Sequence, residues 1–141
     1  MSATLVQTVS SRICYTIDPR KFLRSAVKIL VDNRIGALPV IGTDKILKGI
    51  ISERDIIREV HRSDNFQDLN VEQVMTKNVI TCSLEARANE IMEMMTLHRI
   101  RHVPIVDGRV LHGIVSIGDV VSRLLNKYKD EAELLKNYIN S

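Results

Sequence analysis

Two nine-residue stretches, GIISERDII at 49–57 and GIVSIGDVV at 113–121, place a serine three residues before an aspartate in the same apolar frame. Ser52-x-x-Asp55 and Ser116-x-x-Asp119 each stand where a strand should hand over to a helix, and there unpaired N–H groups and the helix dipole attract an anion. Two kinds of chemistry suit this spacing. In a capping box the serine accepts from the N3 amide and the acidic residue reaches back to the cap. An aspartate so placed can also hold a vicinal diol with its two oxygens while the serine hydroxyl contacts the same sugar. Charge-assisted bonds of that kind contribute about 1.5–3 kcal/mol each. The two roles are compatible.

A second constellation is LHRIRHVP at 97–104, which gathers His98, Arg99, Arg101 and His102 around the end of a helix. Its counterpart, DNRIGALP at 32–39, keeps Arg34 but has Gly36-Ala37 where the later stretch has Arg101-His102. Both a phosphate clamp and a solvated basic turn fit these residues. Divergence in charge with shape retained favours the clamp, because exposed charges add little to folding. His98 and His102 are four apart but lack the third or fourth ligand that zinc requires, so no metal is expected. There is no GxSxG, no P-loop lysine and no nucleophile with a His and Asp arrangement, so the expectation is a protein that is not an enzyme.

The elements that must position these residues are written twice. AVKILVDNRIGALPVI (26–41) aligns with IMEMMTLHRIRHVPIV (91–106) at an offset of 65, and ILKGIISERDII aligns with VLHGIVSIGDVV at an offset of 64. The lost residue falls in a turn. Each copy predicts a short strand (Ile13 to Thr16, Val79 to Cys82), then a helix opened by Asp18-Pro19 or by Ser83. Phe22, Ala26, Val27 and Leu30, and likewise Ala88, Ile91, Met92 and Met95, recur at helical spacing and predict one core face per helix. Methionines 92, 94 and 95 read as gap-filling core. Next come two hairpins, Leu38 to Ile41 with Ile46 to Ile51 and Val103 to Val106 with Val110 to Val115, the second turned by Asp107-Gly108. A second helix follows at Ser52 and at Ser116. The expected fold is therefore α/β in the α+β sense: two β-α-β-β-α units packed about a pseudo-twofold axis, with a long C-terminal helix. The boundaries are 1–63 for the first unit, 64–75 for a polar linker, 76–125 for the second unit and 126–141 for a helical extension. Val121, Leu124, Leu125, Tyr128, Ala132, Leu135 and Tyr138 line one side of that last helix, which either meets a second copy or folds back on its own module.

Composition agrees with a folded domain. Apolar residues make up 45% and charged residues 26% of 141 residues, a globular balance. The formal charge of +3 is spread through the chain, and five scattered aromatics offer no stacking platform, so single-stranded nucleic acid ranks last among the binding readings. No apolar run reaches membrane-spanning length, and the start lacks the pattern of a secretory signal, which points to the cytoplasm or an organelle matrix. Cys14 and Cys82 read as small apolar strand residues rather than as a disulfide or a metal site.

GALPVI followed by LKGIISERD, RHVPIV followed by LHGIVSIGD, and VMTKNVITC at 74–82 together resemble the cystathionine-β-synthase (CBS) domain, and two in tandem resemble a Bateman module. The resemblance runs from about Val9 to about Leu125 and is nearest to small stand-alone CBS-pair proteins of bacteria and plant organelles. It implies a regulatory module for an adenosine nucleotide, AMP first, with ADP, ATP, NAD(H) or S-adenosylmethionine as alternatives. By the same resemblance Asp55 and Asp119, beside Ser52 and Ser116, would take the ribose hydroxyls. Adenine would lie along Ile35, Ala37, Leu38 and Val103 with Ile80, Thr81 and Cys82. Phosphates would meet Arg99 and side chains borrowed across the dyad: Arg101 and His102 for the Asp55 cleft, Arg54 for the Asp119 cleft. Gly118 stands where the first copy has Arg54, so the clefts should differ in phosphate preference and one can stay empty. A homodimer is implied, as is a protein partner, thioredoxin-like among the plant relatives. The competing expectation is a dimeric scaffold that binds no nucleotide and whose Ser-x-x-Asp pairs only cap helices.

Overall fold

The computed structural model describes residues 3–140; the outermost residues of the expected first unit and of the tail, 1, 2 and 141, lie outside it. In chain order the elements are α1 (Leu5–Ser10), α2 (Leu23–Asn33), β1 (Ala37–Ile41), β2 (Leu47–Ser52), α3 (Glu53–Arg62), α4 (Val71–Val74), α5 (Ala88–His98), β3 (His102–Asp107), β4 (Val110–Ser116) and α6 (Ile117–Asn140), with a 3-10 turn at Phe66–Asp68. This is the expected α+β architecture with its long last helix. β1 pairs antiparallel with β2 and β3 with β4, and each ladder shifts register at the same place, Val40/Ile41 and Ile105/Val106.

The internal twofold relation is visible in the backbone. Leu47 N–H donates to the Arg109 carbonyl at 3.0 Å, and Leu111 N–H donates to the Lys45 carbonyl at 3.1 Å, so the two hairpins join through equivalent bonds. Both first helices end alike. Arg34 (φ 53°) and Arg99 (φ 55°) adopt the left-handed conformation, and the next amides, Ile35 and Ile100, donate back to Leu30 and Met95. That closure usually uses glycine, so the repeated Arg-Ile marks a helix end that composition alone does not reveal.

Several local expectations need correction. The first strand of each copy shrinks to a single parallel bridge, Ile17 with Val40 and Cys82 with Ile105. Asp18 and Ser83 do not cap helices. Their side chains accept from Arg20 N–H (2.8 Å) and Glu85 N–H (3.3 Å) and form turns, so the helices open later, at Leu23 and Ala88. Phe22 is consequently outside the core at 62% exposure, and Leu23 takes the buried position.

Packing does not follow the boundaries read from the sequence. The stretch 64–75, expected as a polar linker, sends Phe66, Leu69, Val71, Val74 and Met75 into the first core. The N-terminal helix α1, counted with the first unit, buries Leu5, Val6 and Val9 in the second core, against Ile91, Val103 and Val115. Each core is thus completed by the short helix that precedes the other unit. Capping boxes start both helices, Thr4 with Gln7 and Asn70 with Gln73. Two small cores that share leader helices in this way bury more surface than either unit could alone.

Candidate functional site

The glycine of each repeated stretch sits where two chain segments touch. A Cβ on Gly49 would lie 2.7 Å from Met75 Sδ and 2.8 Å from the Thr76 carbonyl oxygen. That closeness lets Ile50 and Thr76 exchange backbone hydrogen bonds at 3.0 and 2.8 Å, which lays the 76–80 segment beside β2. The strand then delivers Ser52 to the start of α3. There Asp55 N–H donates to Ser52 Oγ at 3.2 Å, and Ser52 N–H and Oγ–H both donate to Asp55 Oδ2 at 3.0 Å. The capping box expected from the spacing is present, and α6 repeats it: Ser116 N–H donates to Asp119 Oδ2 (2.8 Å) and Asp119 N–H to Ser116 Oγ (3.2 Å).

The two carboxylates nevertheless differ. Asp55 is 7% exposed, yet its Oδ1 has only distant partners, Thr76 Oγ1 at 3.4 Å and Arg58 Nη1 at 3.6 Å. It opens onto a cavity of about 470 Å³ that draws on both halves of the chain, α3 and the 76–80 segment on one side and the end of α5 on the other. Arg54, Arg58, Arg99 and Arg101 line this cavity against Glu53 and Asp55, so its wall carries a cationic excess suited to an anion. Asp119 has no such freedom. Arg12 Nη1 donates to Oδ1 at 2.9 Å and Nη2 to Oδ2 at 2.5 Å, a two-pronged grip on both oxygens. Burial pushes the Asp119 carboxyl upward, but the bonds from Arg12 and Ser116 outweigh it and hold the group below its ordinary value.

His102 stands between the clefts, with its Cε1 3.1 Å from where a Cβ on Gly36 would be. Gly36 is the room that the other copy's imidazole occupies. Burial and the charge of Arg101 press His102 toward its neutral form against the pull of Glu53 and Asp119. Cys82 is pushed up to about 11 by burial, and burial raises Cys14 too, so neither thiol is poised as a nucleophile.

The sequence-derived residues divide as follows. Ser52, Asp55, Ala37, Ile80, Arg99, Arg101 and His102 line the large cavity. Arg54, expected to reach the Asp119 cleft, lines the Asp55 cavity instead, because it sits in the same first helical turn as Asp55. Leu38, Val103 and Cys82 are buried in the cores and do not line this cavity. Thr81 is half-buried. Ile35 lines a separate groove between α2 and α3. Arg12, Arg58 and Thr76 were missed. A signal existed: Thr76 follows Arg12 by the same 64 residues that separate Asp119 from Asp55. Among the described residues no group of three or more His, Cys, Asp or Glu could hold a metal ion, and no helix is long and apolar enough to cross a membrane.

The family model for the CBS domain matches residues 6–62 and 71–126. Among curated relatives, the mitochondrial CBS domain-containing protein CBSX3 of Arabidopsis thaliana is 35% identical over 119 residues, 81% of this chain and 58% of the plant protein, so the chain spans little more than half of that relative. YhcV of Bacillus subtilis is 26% identical and 89% of each chain is covered. A CBS-domain containing protein from Agrobacterium tumefaciens superposes with a TM-score of 0.76 at 34% identity, over 84% of this chain and 94% of that one. The CBS domain pair of protein MJ0100, solved with 5′-methylthioadenosine and S-adenosyl-L-methionine, gives a TM-score of 0.77 at 31% identity, over 90% and 99% of the two chains.

Proposed function

The chain belongs to the CBS domain family and carries the domain twice, and from that premise we propose that it is a non-enzymatic regulatory module whose Asp55 cavity binds an adenosine nucleotide. Relatives that bear enzyme names match this chain over only part of their own length, 22% for the inosine-5′-monophosphate dehydrogenase of Methanocaldococcus jannaschii.

The observation that carries the reading is the half-free Oδ1 of Asp55 at the mouth of a cavity lined by four arginines. One carboxylate oxygen is committed to the cap and the other is left for a ribose hydroxyl. Arg54, Arg58, Arg99 and Arg101 then face the phosphates, and Ala37 and Ile80 supply apolar wall for the base. A volume of about 470 Å³ lies in the usual range for a small-molecule site. The adenosine ligands of the MJ0100 domain pair support the choice of ligand class. AMP is the first candidate, with NAD(H) and ATP behind it. Binding biases the shape of a homodimer and so its affinity for a protein partner, thioredoxin-like by resemblance, in the cytoplasm or an organelle matrix. A ligand does this only through its differential affinity for two states.

The capping boxes at both Ser-x-x-Asp pairs favour one competing reading, a scaffold that binds no nucleotide. Calorimetric titration with AMP, ATP and NADH separates the two. The sensor reading expects saturable binding that Asp55→Ala abolishes while the variant stays folded. If none of the three binds and Asp55→Ala lowers only the melting temperature, the scaffold reading replaces it.

A further inference from the structure

The last helix outruns the body it grows from. α6 spans 24 residues, and its first two turns pack on the body: Val120 is buried and Leu124 packs against the second core. From Leu125 to Asn140 every residue is exposed. Sixteen residues rise about 24 Å, and a helix of that length standing alone in water is marginal. Something has to cover its apolar side.

The pattern on that side identifies the cover. Val121, Leu125, Tyr128, Ala132, Leu135 and Ile139 follow one another at alternating spacings of four and three. That alternation is the seam of a coiled coil, widened on one flank by Tyr138. With Leu125 at position a, the a sites are Leu125, Ala132 and Ile139, and the d sites are Val121, Tyr128 and Leu135. The flanking charges then choose an orientation. Lys129 and Lys136 occupy e, and Glu131 occupies g. In a parallel pair, g of one helix meets e of the following heptad on the other, which puts Glu131 of each chain opposite Lys136 of the other. An antiparallel pair would set e against e and face lysine with lysine. Ala132 at the centre lets the two backbones approach closely.

We infer that residues 121–140 form a parallel two-stranded coiled coil with a second copy of this chain. The inference rests on the homodimer proposed above and not on nucleotide binding. A seam of fewer than three heptads acts together with the exposed apolar residues of the body, Val31 on α2 and Ile57 and Val60 on α3.

The test is light-scattering mass and sedimentation equilibrium on the full chain over a range of concentrations. Wild type is expected to be a dimer. Leu125→Asp with Leu135→Asp, both exposed and so compatible with folding, should weaken it at least about tenfold with α-helical circular dichroism of the body retained. Glu131→Lys should weaken it and Glu131→Lys with Lys136→Glu should restore it. Ile139→Cys, oxidised beside wild type as control, should give a disulfide-linked dimer, since only a parallel pair brings the two 139 positions within reach. A monomeric wild type overturns both the coiled coil and the homodimer. A dimer indifferent to the Asp and charge-reversal variants overturns the coiled coil and leaves a homodimer held by its body. A dimer that depends on Leu125 and Leu135 but does not cross-link at 139, or a trimer, overturns the parallel two-stranded arrangement.

Discussion

Arg12 and Asp119, 107 residues apart in the chain, meet in a two-pronged ion pair at 2.9 and 2.5 Å. The equivalent position over Asp55 is held by Thr76, whose hydroxyl is 3.4 Å away. One member of the repeated Ser-x-x-Asp pair is therefore held from inside and the other is open. The Arg12 side chain is half-exposed at 49% while the Asp119 side chain is 16% exposed, so the pair seals the carboxylate and not itself.

Stoichiometry should follow from this difference. Titration of the wild type with AMP is expected to saturate at one equivalent per chain, and Arg12→Ala is expected to add a second, weaker site that Asp119→Ala removes again. A wild type that takes two equivalents would show that the ion pair does not close its cleft.

Acid stability should depend on the same contact. The Asp119 carboxyl is held below its ordinary value, so the stability it contributes is present above that value and is lost as pH falls through the lower, folded-state one. Denaturant titrations between pH 5 and pH 2, on scales set by the carboxylate range of about 4, should show Arg12→Ala losing part of that acid-dependent slope.

His102 predicts a slope of the opposite origin. Its folded-state value lies below the 6.5 of a free imidazole because it is buried beside Arg101. As pH drops past 6.5 the unfolded chain takes up the proton first, so stability falls until the folded-state value is passed and then levels off. Unfolding midpoints measured from pH 8 to pH 5 should show this fall in wild type and lack it in His102→Gln. Phosphate placed against His102 favours the charged imidazole, so AMP binding at pH 7 should take up protons, readable as a binding heat that changes with buffer.

The two repeat glycines should respond differently to alanine. A Cβ on Gly49 meets Met75 and the Thr76 backbone below 3.0 Å, whereas on Gly113 the nearest atoms, in Val9 and Ser10, lie at 3.5 to 3.6 Å. Gly49→Ala should cost about 1–3 kcal/mol and Gly113→Ala should stay within about 0.5 kcal/mol, measured by urea unfolding. Equal losses would place the strain elsewhere.

Arg34 and Arg99 both hold the left-handed conformation. Arg34→Gly and Arg99→Gly each relieve that backbone strain and should stabilise the fold by about 1 kcal/mol. Only Arg99 lines the large cavity, so only Arg99→Gly should also weaken nucleotide binding in the titration that reports Asp55.

Much of the molecule is legible in the amino-acid sequence. The repeat, both hairpins, the proline-bearing strands and the Ser-x-x-Asp caps all depend on residues a few positions apart, and short-range spacing states such bonds directly. Phe22 shows where that reading slips: the turn made by the Asp18 side chain delays the helix and moves the core position to Leu23. Arg54 shows a second kind of slip, since nothing in its neighbourhood tells which of two clefts the first turn of α3 will face.

The sequence by itself determined that two like units would each present a serine, an aspartate and a helix start. Only the tertiary structure decided that the leader helices would be exchanged between the cores, and that exchange settles the fate of the two aspartates. Because α1 packs on the second core, Arg12 is brought to Asp119; because α4 packs on the first, Thr76 is brought to Asp55. Local hydrogen bonds are set by local geometry, whereas a contact across 107 residues exists only once the hydrophobic faces of distant helices have chosen their partners.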